Sequence, residues 1–75
     1  MNDSKRTQTL RELLELSEEL DTLNKHLKFQ QDEMDSAKDN STRFMYAGYV
    51  SISQQLISRV ETKMDALMKE LRSDA

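Results

Sequence analysis

The chain has 75 residues, about a third of them charged, with a net charge of −3, no cysteine, no proline and one glycine, Gly48. That length admits a single domain, residues 1–75, with a thin core. Without cysteine there is no disulfide, thiolate metal site or cysteine nucleophile. Residues 1–38 carry six basic and nine acidic side chains and residues 39–75 carry five of each, so no basic stripe favours nucleic acid or anionic lipid. The longest apolar run is too short to span a bilayer, and the opening MNDSKRTQT has no apolar signal region. The expectation is a protein of the cytoplasm, with no membrane or nucleic-acid partner and no cofactor.

The first element is a helix over about residues 4–38. Leu13, Leu16, Leu20, Leu23 and Leu27, then Met34 and Ala37, recur in alternating steps of three and four, with Gln30 filling one position. This is a heptad seam. Thr9 and Glu12 match a T-x-x-E capping box, and Asp3 or Ser4 offers an earlier start. Asp21 and Lys25 form an acid-before-base pair at i,i+4.

Next comes SAKDNST, residues 36–42, whose Asp, Asn, Ser and Thr favour turns and helix caps. The expected turn is about residues 39–41, with Asn40 or Ser41 capping a second helix over about 42–72. That helix has its own seam: Tyr46, Val50, Ser53, Ile57, Val60, Met64, Leu67 and Leu71. Folding the chain at this turn makes facing residue numbers sum to about 80, which sets Met34 on Tyr46, Leu23 on Ile57, Leu20 on Val60, Leu16 on Met64 and Leu13 on Leu67. Gln30 opposite Val50 and Leu27 opposite Ser53 are the half-polar layers. The agreement of two independently read seams predicts an all-α, antiparallel two-helix hairpin of coiled-coil type. The competing architecture is one continuous helix of roughly 100 Å that dimerises.

The second helix has apolar residues its seam does not use. Met45, Tyr49, Ile52 and Leu56 form a stripe offset by one residue, about 100° around the helix, ending where Arg59 and Lys63 take its positions. Phe29 lies on the matching edge of the first helix, with His26 at the border. Phe29, Met45, Tyr49, Ile52 and Leu56 are therefore the candidate partner-binding residues. The other reading rotates the second helix so that the stripe becomes core. Leu10, Leu14 and Met68 are surplus near the open end. Gly48 either permits close approach of another chain or is simply tolerated.

Little in the sequence suggests catalysis. His26 is the only histidine, Glu15, Glu18 and Glu19 resemble a solvated helix face, and no glycine-rich phosphate loop occurs. Two helices offer little of the concavity that paired catalytic carboxylates need. The expectation is a protein that is not an enzyme and has no catalytic, cofactor or metal residues.

The segment LNKHLKFQQDEMDSAKDNSTRFMYAGYVSISQQLI, residues 23–57, sets a leucine-spaced helix, a turn and an aromatic-bearing second helix in succession. In this the chain resembles the small YscE/PscE-type co-chaperones of bacterial type III secretion systems. The likeness covers most of the chain and rests on length and pattern. It implies a bacterial cytoplasmic co-chaperone that pairs with a helical-repeat chaperone to keep a secretion needle subunit soluble and monomeric, and it implies self-association when the partner is absent. The alternative is a homo-oligomeric, for example homodimeric, coiled coil that tethers or builds structure.

Overall fold

The structure, a computed structural model, describes residues 2–73. They form two α-helices of 34 residues each, α1 (Asp3–Ser36) and α2 (Asn40–Ser73). The two pack along their lengths as an all-α antiparallel hairpin, a rod with extents of 56 × 15 × 12 Å. The continuous-helix alternative is thereby replaced by the hairpin.

Asn2 caps α1, its side chain accepting the Lys5 N–H at 2.8 Å, and Asp3 favours the positive end of the helix dipole. The T-x-x-E pattern is therefore not the helix start. Thr9 lies well inside α1, where its Oγ1 donates to the Lys5 carbonyl at 3.0 Å, and it is only 5% exposed. Thr9 continues the heptad backward from Leu13 and Leu16 and belongs to the seam. Once the asparagine cap nucleates the helix, Lys5 to Gln8 propagate it and a second cap has nothing left to satisfy.

The connection is Ala37–Asp39, about two residues earlier than the expected turn. Ala37 is extended, at φ −64° and ψ 131°, and its N–H bonds the Met34 carbonyl. Asp39, rather than Asn40 or Ser41, caps α2: its Oδ1 accepts the Thr42 N–H at 2.6 Å. That bond and one to the Thr42 side chain hold the Asp39 carboxyl below the usual aspartate range. The Arg43 guanidinium reaches back to the Ala37 carbonyl at 3.0 Å, tying the first turn of α2 to the end of α1.

Leu13, Leu16, Leu20, Leu23, Leu27, Met34, Tyr46, Val50, Ile57, Val60, Met64, Leu67 and Leu71 are all buried or half-buried between the helices. Ser53 Oγ donates to Gln30 Oε1 at 2.6 Å, so the two polar seam positions satisfy each other across the interface. The core is thin. Among the described residues only Val50 and Val60 are apolar and less than a tenth exposed, and no large side chain is fully enclosed. Two helices in contact along one line leave most of each seam residue's outer edge in water.

Candidate protein-docking flank

Each helix has two flanks beside its seam. Residues that immediately precede a seam residue lie on one side, here the leading flank; those that immediately follow lie on the other, the trailing flank. In an antiparallel pair the two leading flanks share one side of the rod. The structure brings them together: Glu12, Glu15 and Glu19 of α1 and Lys63 and Ala66 of α2 wall one groove of about 410 Å³ floored by Leu16 and Leu67.

All five candidate partner-binding residues are on this leading flank and exposed. Phe29 precedes Gln30, Met45 precedes Tyr46, Tyr49 precedes Val50, Ile52 precedes Ser53 and Leu56 precedes Ile57. Their exposures run from 39% at Leu56 to 59% at Phe29. The stripe is thus not the core of the hairpin; α2 turns its other register to α1. The seam register sets Phe29 level with the stretch between Tyr49 and Ile52, so the five residues gather on one side of the turn half of the rod, with Glu33 beside them. The Tyr46 and Tyr49 rings meet edge to face at 5.8 Å, so the seam side chain props the patch side chain. His26, which precedes Leu27, is exposed at the patch border.

The open half of the same flank is charged, with a different sign on each helix. The α1 edge carries Glu12, Glu15 and Glu19, while the α2 edge carries Arg59 and Lys63, with Glu70 beyond them near the open end. Glu18, grouped with these acids by sequence, lies on the outer face and takes no part. The signal was available in the sequence: Glu12, Glu15 and Glu19 immediately precede Leu13, Leu16 and Leu20, just as the stripe residues precede theirs.

The trailing flank differs. It carries Leu10, Leu14 and Met68 near the open end, all exposed. Beyond them Glu61, Asp65 and Met68 wall a second groove floored by Leu20 and Met64, with Asp21 on the α1 edge. Asp21 pairs with Lys25 at 3.0 Å along its own helix. Gly48 faces neither flank; a methyl group there would meet nothing within 4 Å.

This geometry leaves an unusual amount of surface. The chain exposes 5798 Å², against about 4,800 Å² for a compact protein of its mass of 8.8 kDa. Its radius of gyration is 17.0 Å, where about 11 Å is typical of a compact chain of this length. The excess of about 1,000 Å² is comparable to what one partner loses in a standard protein–protein interface.

Among the described residues there is no cluster of histidine, aspartate and glutamate suited to a metal ion and no helix long and apolar enough to cross a membrane. The chain matches no protein-family model, no curated protein and no solved structure.

Proposed function

We propose that this hairpin is a protein-binding adaptor that docks another polypeptide on its leading flank. One observation carries the reading: Phe29, Met45, Tyr49, Ile52 and Leu56 lie exposed on one side of a hairpin whose own core is thin. Covering such a patch removes apolar surface from water at about 25 cal/mol per Å², and it stabilises the hairpin through the partner. The aromatic and methionine content suits an irregular partner surface. In its specific form, taken from the resemblance to YscE/PscE-type proteins, the role is that of a cytoplasmic co-chaperone. Its partners would be a helical-repeat chaperone and, through it, a secretion needle subunit.

The test is affinity purification from the native host, with mass spectrometry of the captured proteins. Tyr49→Ala with Leu56→Lys should abolish capture of the partner and leave helical content unchanged. Leu10→Lys with Leu14→Lys, on the trailing flank, should retain it. A partner that still binds the Tyr49/Leu56 variant refutes the assignment.

A further inference from the structure

The stripe on α2 is a second heptad seam, and we infer that its occupant is a single amphipathic α-helix of another protein, with a row of lysine or arginine along the edge that faces α1. The inference rests on the reading of this flank as a docking surface and names the chemistry of what docks.

The spacing selects a helix. Met45, Tyr49, Ile52 and Leu56 follow one another in steps of four, three and four, as the seam residues do. Along the axis they rise by about 6, 4.5 and 6 Å, the interval at which a second helix sets its own knobs. Residues on one face of an extended strand recur about every 6.7 Å and fall out of step within the stripe. The backbone points the same way. The main-chain groups of α2 beside the stripe are bonded within the helix, so they have nothing to offer an incoming main chain. An occupant that lies on such a face must satisfy its own N–H and C=O groups, as a helix does.

The charges select which helix. From Glu12 to Ser36 the α1 leading edge carries the acids Glu12, Glu15, Glu19 and Glu33 and no lysine or arginine. Phe29 is its one large apolar side chain, and Thr22 and His26 fill the level between the acids. The two edges therefore ask for different things, apolar contact on α2 and positive charge on α1. Past Leu56 the α2 edge turns to Arg59 and Lys63, and there the apolar row of the occupant gives way to acids. The footprint from Met45 to Lys63 is about 27 Å long, or about five helical turns, and Glu70 lies beyond it.

A selection reads the occupant directly. Peptides of about 20 residues, with each position drawn from alanine, leucine, lysine and glutamate, are displayed on phage and selected on the full chain. The enriched peptides should carry leucine in steps of three and four and lysine in a row along one edge. Their binding, read by fluorescence anisotropy, should weaken at least about ten-fold for Tyr49→Ala with Leu56→Lys and hold for Leu10→Lys with Leu14→Lys. A second selection, on Glu15→Gln with Glu19→Gln and Glu33→Gln, should keep the leucine spacing and lose the lysine row. A third, on Glu18→Gln with Asp32→Asn and Glu61→Gln, removes as much charge away from the flank and should keep both. A lysine row that survives the second selection, or is lost equally in the third, overturns the basic edge, since net charge alone would then account for it. No enrichment, peptides without the leucine spacing, or binding that the Tyr49/Leu56 substitutions leave intact overturns the helix as occupant. If wild type still captures a partner that the Tyr49/Leu56 variant does not, the docking reading stands and only its occupant falls.

Discussion

The two flanks of the rod are built from the same two helices and share one seam, yet they offer different surfaces. On the leading flank the apolar residues gather at the turn end, and beyond them Glu15 and Glu19 of α1 stand level with Lys63 and Arg59 of α2. On the trailing flank the apolar residues are few and confined to the open end, and acids stand on both helices. Exposed leucine alone does not separate them, since both flanks have it. The difference lies in whether apolar area is continuous and whether the charges beside it are of both signs or mostly acidic. A single seam of half-buried leucines cannot enclose a core, so the hairpin's stability is open to whatever covers one flank.

The largest expected effect breaks the leading flank. Tyr49→Ala with Leu56→Lys should weaken binding of the captured partner by about a hundred-fold or more, as titration calorimetry would read, because it removes an aromatic anchor and sets an unpaired ammonium in the patch. The matched pair Leu10→Lys and Leu14→Lys on the trailing flank should leave association unchanged. Equal losses from both pairs would erase the distinction between the flanks.

A smaller effect lies in the seam they share. Gln30→Leu alone leaves the buried Ser53 hydroxyl without its partner and should cost about 1–2 kcal/mol in chemical denaturation. Adding Ser53→Ala should recover most of that loss. If the single and double variants are equally unstable, the bond does not hold the helices in register.

Gly48→Ala should stabilise the hairpin by about 1 kcal/mol, since an alanine methyl meets open space and helix propensity improves. Because Gly48 faces neither flank, partner binding on the leading flank should be untouched. The alternative reading of Gly48, as a point of close approach, predicts lost association instead.

The smallest effect is at the turn. The Asp39 carboxyl titrates lower when folded because the Thr42 N–H bonds its charged form. Its contribution is thus present above the unfolded aspartate pKa and is lost as pH falls through the folded one. In acid titration followed by circular dichroism, wild type should lose more stability below the usual aspartate range than Asp39→Asn, whose cap does not ionise. Parallel acid curves would remove Asp39 from the cap.

Much of the fold was legible because both seams keep the heptad period through nearly every turn, and because two separately read seams matched when folded. The turn was misplaced by about two residues for a chemical reason. Asp39, Asn40 and Ser41 are all good caps, and only the bond from Thr42 chooses among them. Thr9 competes with Asp3 and Ser4 as a helix start because a buried threonine in a seam and a threonine cap look alike in a linear sequence; only the Asn2 cap and the bond to the Lys5 carbonyl tell them apart. Gln30 and Ser53 read as two separate half-polar layers, since a hydrogen bond between neighbouring layers has no period. The apolar part of the flank was legible from its one-residue offset. Its charged part obeys the same offset, since Glu15 and Glu19 precede seam leucines and Glu18 does not, but a run of acids reads first as one solvated face.

The measurement that tests the central claim most directly is thiol labelling of single-cysteine variants, which the cysteine-free sequence makes unambiguous. Ile52→Cys reports the leading flank and Leu14→Cys the trailing one. When the captured partner is added, maleimide labelling of Cys at position 52 should slow by about ten-fold or more while labelling at position 14 stays constant, because docking buries only the former. Rates at both positions that the partner leaves unchanged, or protection of position 14 alone, would contradict the account.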